Sequence, residues 1–244
     1  MNPRISIIDG GIRATEWVWS RLRLLPLYRS ALDGAGDQPL TIIDVGGHRG
    51  QSVELFMKLD RPVKIYTFEP TPHLFKRLQA RYMQLENIRV EPYGISEKSG
   101  ERIFYANVLD STSSLKELDF NSSYLHMKSR VLGVRPEELV ADSYPIMTYS
   151  LTDYIALHGI ERIDWLKLDV EGYEYGCLLG LEEALKRGFP VDYIQLESHD
   201  DEMYLEPDNR KIHDFLTRYG YEVVSRIRHY FGNFFEMIYR RSRD

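Results

Sequence analysis

Acidic residues recur just after short apolar runs in this chain. Asp44 follows Thr41-Ile42-Ile43, Glu69 follows Val63 to Phe68, Asp169 and Glu171 follow Ile163 to Leu168, and Glu197 follows Val191 to Leu196. His199, Asp200 and Asp201 come directly after the last of these. Asp44 is the most informative, because Gly46, Gly47 and Gly50 follow it in a turn whose backbone can lie close against a ligand. A carboxylate beside that turn would repel the pyrophosphate of a dinucleotide, at a cost of several kcal/mol for an effective dielectric of ~20. It suits a ligand that carries an ammonium and a sulfonium, as S-adenosylmethionine does. Glu69 can accept hydrogen bonds from both hydroxyls of a ribose, which supports a nucleoside without choosing one. The glycines at 46, 47 and 50 also lack the first glycine of the dinucleotide fingerprint G-x-G-x-x-G. S-adenosylmethionine is therefore the expected cofactor, and a nicotinamide-dependent oxidoreductase is the weaker reading.

For these residues to act together, the strand ends must come to one edge. Thr41 to Ile43 has the β-branched character of a buried strand, and Val53, Phe56 and Leu59 mark an amphipathic helix after it. Val63 to Phe68 predicts a second strand. Thr71 reads as a helix N-cap with Pro72 at the first helical position, and Leu74, Phe75, Leu78 and Tyr82 form the buried face of that helix. A third strand begins at Ile88 and leads into Gly94-Ile95-Ser96, with a short added strand expected over Arg102 to Ala106 and another over Ile146 to Tyr149. Ser150 and Asp153 open the next helix. Ile163 to Leu168 and Val191 to Leu196 are the fourth and fifth main strands. A helix over about Asn209 to Tyr219 precedes two strands, Tyr221 to Arg226 and Phe234 to Tyr239, whose turn at Gly232-Asn233 makes them an antiparallel hairpin. Alternating strands and helices predict an α/β fold: a mostly parallel, Rossmann-like sheet of seven strands with ligands at the carboxyl ends of its strands.

Two segments stand outside this alternation. Residues 1–38 interleave Trp17, Trp19, Leu22, Leu24, Leu25, Leu27 and Tyr28 with Arg13, Arg21, Arg23 and Arg29. They read as a helical extension to a domain over 39–244. This helix is expected to pack on the domain and cover part of the site, the sharper alternative being contact with a membrane surface. Residues 107–145 are irregular and locally basic, and a connection of that length inside a compact domain predicts a partly helical lid or substrate insertion. The composition, 43% hydrophobic and 28% charged with a net charge of −6, is that of a globular domain and weighs against a nucleic-acid partner. Cys177 is the only cysteine, so no internal disulfide can form. No run approaches the ~18 apolar residues that span a bilayer, and no signal-peptide pattern is visible. A cytoplasmic location is expected.

Three stretches together resemble the FkbM family of S-adenosylmethionine-dependent methyltransferases: DVGGHRGQS at Asp44 to Ser52, FEP at Phe68 to Pro70, and LKLDVEGYE at Leu166 to Glu174. The resemblance runs from about Thr41 to Tyr239 and implies a class I methyltransferase sheet and mostly O-methylation. It further implies acceptors among sugars, polysaccharide components and natural-product hydroxyls. By position it assigns Asp44, Gly46, His48, Gly50 and Ser52 to the methionine part of the cofactor, within the Gly46-Gly47 turn. Glu69 falls to the ribose, Pro70 to the adenosine, and Gly94, Ile95 and Ser96 to the neighbourhood of the adenine. Asp169 falls to the amino-acid end or the reaction centre. His48 departs from the family's usual Asn.

Methyl transfer to oxygen requires a hydroxyl aligned with the methyl group and, in some cases, a base for its proton. His199, Asp169, Glu171 and Glu197 are the candidates. His199 leads on chemistry, because an unperturbed imidazole titrates near neutrality, and Asp169 leads on motif. Glu171 has an alternative role in complementing the start of the following helix. Asp169 and Glu197, with Asp200 or Asp201, could also hold magnesium, but no ligand spacing enforces a metal and none is assigned. The expected function is an O-methyltransferase for a small-molecule or saccharide acceptor. The alternative is a non-catalytic carbohydrate- or lipid-interaction protein on the same fold.

Overall fold

The computed structural model describes residues 3–34, 38–199, 208–229 and 234–242, with side chains throughout except at 3–9, 12–14, 16–17, 124 and 199. A long helix, α1 (Pro3–Leu32), precedes the domain. The domain then runs β1 (Leu40–Val45), α2 (Gln51–Phe56), β2 (Val63–Phe68), α3 (Pro72–Tyr82), β3 (Ile88–Glu91), β4 (Gly94–Ile95) and β5 (Gly100–Asn107). It continues with α4 (Ser123–Leu132), β6 (Val140–Tyr149), α5 (Leu151–Leu157), β7 (Ile163–Leu168), α6 (Glu174–Lys186), β8 (Val191–His199), α7 (Asn209–Arg218), β9 (Tyr221–Arg228) and β10 (Phe234–Arg241). The main sheet has the order β3-β2-β1-β7-β8-β10-β9, parallel except at β10. This is the mostly parallel seven-stranded sheet that the alternation of strands predicted, and the class I methyltransferase sheet that the family resemblance implied.

Strand alternation divides the core into two layers. Ile43, Val45, Tyr66, Phe68, Leu166, Leu168, Ile194 and Leu196 face α5, α6 and α7. Ile42, Ile65, Trp165 and Ile238 face α1, α2 and α3. On this second face the apolar pattern gives way, toward the carboxyl ends, to Asp44 opposite Lys167 and Lys167 opposite Gln195, and then to Glu197 opposite Glu236. Polar side chains thus gather at one edge because side chains alternate across each strand with a period of two.

The helix α1 is bound to this face by Trp19, Leu24, Tyr28 and Leu32, all buried, while Val18 and Leu22 remain exposed. Tyr28 is its anchor. Its ring stacks on Phe56 at 4.7 Å and meets the edge of Trp165 at 4.8 Å, and its hydroxyl donates to Gln195 Oε1 at 2.8 Å. No helix among the described residues is long and apolar enough to cross a membrane.

The insertion is more ordered than its sequence indicates. β6 runs for 10 residues rather than the four expected, pairing antiparallel with β5 and parallel with β4 in a small second sheet. Its first half escaped notice because Ala141, Asp142 and Ser143 give an exposed ladder no apolar signature. Between the two strands, Leu109, Leu118, Leu125, Leu132 and Leu139 close a core of their own. Ser122 caps α4 by accepting from Leu125 N, and Gly133 ends it at φ 73°.

Truncating Tyr28 to Ala should cost about 3–5 kcal/mol, as for large aromatic side chains removed from cores. Tyr28→Phe, which keeps the packing and loses one hydrogen bond, should cost about 1 kcal/mol. Urea unfolding of both variants measures the difference.

Candidate functional site

The turn after β1 is shaped by what surrounds it. Gly46 and Gly47 both donate to Phe68 O, at 3.1 and 2.8 Å. A Cβ on Gly46, which has φ +90°, would stand 1.8 Å from Asp169 O. One on Gly47 would stand 2.3 Å from Thr67 Oγ1, so the backbones of β1, β2 and the turn after β7 touch here with no room for a side chain. His48 adopts φ 45°, a left-handed conformation uncommon outside glycine. That conformation aims its N–H at Glu69 Oε2, 2.7 Å away.

Glu69 is 4% exposed and sits where the β2 end predicts. Its other oxygen accepts from Thr71 N at 2.8 Å. Burial raises its pKa above the usual carboxylate range, against the opposing hydrogen bonds from Thr71 and His48. Thr71 occupies the N-cap position of α3, but its side chain caps nothing.

A cleft lies above this edge, with about 1250 Å³ of empty space counted out to its open mouth. Of the residues expected at the site, Gly46, Gly47, His48, Ser52, Glu69, Pro70, Gly94, Ile95, Asp169, Glu171 and Glu197 line it. Three stand behind its wall instead. Asp44 is fully buried and accepts from Thr67 Oγ1 at 2.9 Å. Gly50 makes room for Tyr82, whose hydroxyl would lie 2.7 Å from a Cβ there. Ser96 is buried against Lys98 O and Thr148 Oγ1. The side chain of His199 and all of Asp200 and Asp201 lie outside the described residues.

Asp44 acts through Lys167, the next residue along its row. Lys167 is 4% exposed and its Nζ lies 2.6 Å from Asp169 Oδ2. Burial alone would lower its pKa, but the charges of Asp169, Asp44 and Glu236 outweigh that and hold it above the ordinary lysine range. Burial pushes Asp44 up, against the pull of Lys167 and Thr67.

In the turn after β7, Glu171 takes φ 55° and Gly172 φ 90°. Glu174, not Glu171, serves the start of α6, accepting from Val170 N and Gly172 N at 3.2 Å each. Glu171 is thereby left to the cleft, where one carboxylate oxygen each of Asp169, Glu171 and Glu197 lies within 4.8 Å of the other two. Lys167 already supplies a cation to Asp169, and three acids alone specify no metal.

The residues that sequence reasoning passed over come from the far flank. His229 follows β9, and its ring stacks on Trp19 of α1 at 4.0 Å. Its Nε2 lies 3.5 Å from Glu236 Oε1 and 3.9 Å from Glu197 Oε1. Glu236 also accepts from Gln195 Nε2 at 2.8 Å. The expected hairpin carried the signal: a strand antiparallel to β8 starts, and the strand before it ends, at the edge where β8 ends. Asp110 of the insertion was also missed. It meets His48 Nε2 at 3.0 Å and Arg49 Nη2 at 2.9 Å, with His73 Nε2 at 3.5 Å.

Comparison with known proteins agrees with this geometry. The family model described as the methyltransferase FkbM domain matches residues 44–223. The 2-O-methyltransferase NoeI of Sinorhizobium fredii is 27% identical over 165 residues, covering 67% of this chain and 65% of NoeI. The 31-O-demethyl-FK506 methyltransferase FkbM of Streptomyces tacrolimicus is 28% identical over 158 residues, covering 59% of this chain and 60% of that protein. The match thus spans less than two thirds of the length of either relative. Among solved structures, magnesium protoporphyrin IX methyltransferase ChlM of Synechocystis PCC 6803, with bound S-adenosylmethionine, superposes with a TM-score of 0.50. That match covers 95% of this chain and 82% of ChlM at 9% identity, a likeness of fold.

Replacing Lys167 by Met should destabilise the protein by about 3–5 kcal/mol, because it leaves buried carboxylates unpaired. Burial already holds the folded Asp44 carboxyl above its ordinary value, and losing Lys167 raises it further. The folded variant therefore takes up a proton before the unfolded chain does. Its deficit relative to the parent should be largest at neutral pH and narrow as the pH falls toward ~3.9, which urea titrations at several pH values measure.

Proposed function

The chain belongs to the FkbM methyltransferase family, and from that premise we propose that it is an S-adenosylmethionine-dependent O-methyltransferase. Its proposed acceptor is a hydroxyl of a sugar, a polysaccharide component or a related natural product. The observation that carries the cofactor reading is the charge of the cleft. Among the described residues its lining includes the carboxylates of Glu69, Asp110, Asp169, Glu171, Glu197 and Glu236 against the single ammonium of Lys167. Such a lining repels a pyrophosphate and favours a ligand bearing an ammonium and a sulfonium. The names of the two relatives, a 2-O-methyltransferase and a 31-O-demethyl-FK506 methyltransferase, support oxygen as the accepting atom.

The residues fit the cofactor by the chemistry of their donor and acceptor groups. Each Glu69 oxygen already accepts one backbone N–H and retains a lone pair for a hydroxyl of a vicinal diol. Pro70, Tyr93, Ile95 and Phe104 give apolar walls for a heterocycle. When bound, S-adenosylmethionine supplies an electrophilic sulfonium methyl group. On the opposite flank, Trp19 and Leu24 of α1 face Glu197, His229 and Glu236, a chamber with an apolar side and a polar side that suits a hydroxylated acceptor. His229 is the base favoured by this arrangement. A proton received at Nε2 would be stabilised by Glu236 and Glu197 beside it. The sequence pointed to His199 for this task, two residues after Glu197 on the same strand.

Calorimetry separates the cofactor readings. The folded protein should bind S-adenosylmethionine and not NAD, and no binding of S-adenosylmethionine would remove the proposal. Glu69→Ala should weaken that binding about tenfold to a hundredfold, the worth of hydrogen bonds to a charged group. Against hydroxylated acceptors, His229→Gln should slow turnover by about 10²–10⁴ with cofactor affinity kept, and full turnover would exclude His229 as the base.

A further inference from the structure

His48, in the turn after β1, meets both Glu69 through its backbone N–H and Asp110 of the insertion through its side chain. Residues 108–139 have an apolar core of their own. Asp110, Ser111, Ser113, Ser114 and Leu115 of this unit form one wall of the cleft. Polar contacts tie that wall to the domain. Ser114 Oγ donates to Val170 O at 2.9 Å, and Lys116 Nζ lies 2.8 Å from Asp208 Oδ2. Asp110 is gripped by His48 and Arg49, with His73 Nε2 3.5 Å away.

The grip favours the charged form of Asp110. Burial pushes its pKa up, yet the hydrogen bond and charge of His48 and the charge of Arg49 overcome this and hold it well below the usual carboxylate range. His48 and Asp110 keep 19% and 20% of their side-chain surface, so the contact is shielded without being sealed from water. An ion pair of this kind can break without stranding a charge in a dry interior.

We propose that His48 is a positioning residue that couples closure of the 108–139 unit to occupancy of the methyl-donor site. Its imidazole holds Asp110 over the cleft while its backbone N–H holds the Glu69 carboxylate beneath. One residue thereby joins the insertion's wall of the cleft to the carboxylate proposed to hold the cofactor. Asn at this position would keep the left-handed backbone, which Asn tolerates, but its side chain is too short to span to Asp110. This inference rests on the reading that the Glu69 half of the cleft binds S-adenosylmethionine.

Stopped-flow binding of S-adenosylmethionine to the full chain tests it, with His48→Asn, Asp110→Asn, His48→Gln and the double variant His48→Asn/Asp110→Asn. Dissociation should quicken about tenfold in each Asn variant, the worth of one charge-assisted contact. The double variant should be no faster than Asp110→Asn alone, because that variant already removes the partner of the His48 imidazole. His48→Gln, which can still hydrogen-bond to Asp110, should recover part of the loss. Thermal midpoints without ligand serve as the control for a structural role. Dissociation unchanged in the single variants, or effects that add in the double variant, would overturn the coupling. A parent protein that binds no S-adenosylmethionine would remove the cofactor reading and this inference together, whereas binding with unaltered rates removes the coupling alone.

Discussion

A buried ammonium makes the carboxyl edge of this sheet possible. Lys167 stands in a row with Asp44 on one neighbouring strand and Gln195 on the other, and it pairs directly with Asp169 two residues on. Carboxylates taken out of water are costly unless they are paired. β1, β10 and the turn after β7 contribute acids to the field of this one lysine, and their mutual repulsion would otherwise force them apart or into the neutral form. The same balance defines the cleft above. Lys167 offsets the charges of Asp44, Asp169 and Glu236, and the other carboxylates of the lining give the opening its negative character.

Two additions close the cleft from opposite sides by different physics. The helix α1 is held by aromatic burial: Tyr28 packs between Phe56 and Trp165, and Trp19 then lies over His229. Burial of that kind is hard to undo, and it makes the helix a fixed wall of the acceptor flank. The insertion spends its apolar side chains on its own small core and meets the cleft through polar contacts at Asp110, Ser114 and Lys116. Contacts exchangeable with water suit a wall that moves. The two walls are therefore held by contacts of different kinds.

Much of the cofactor flank was legible in the chain. The glycines of the turn, Glu69 and the stretch at Asp169 to Gly172 act within a few residues of one another or at strand ends, where local pattern and strand order locate them. The acceptor flank was not legible in the same way. Glu236 faces Glu197 only because β10 returns antiparallel in one particular register, and a shift of one residue would turn it to the other face. His229 enters through the same pairing, and local pattern, which pointed to His199 two residues after Glu197, gives no sign of it. Glu171 and Glu174 were equally eligible to serve the start of α6, and the left-handed turn at Glu171 and Gly172 decided for Glu174.

The sequence by itself determined the alternation of strands and helices, the tight glycine turn after Asp44, and the acidic chemistry that disfavours a phosphate in that turn. These follow from side-chain period, backbone sterics and charge, all of which act locally. Tertiary structure alone decided which charges neutralise one another, which histidine faces the cleft, and that His48 meets an aspartate 62 residues away in the insertion. Such pairings depend on strand register and on how separate units dock, and no local pattern encodes the distance between residues that folding brings together.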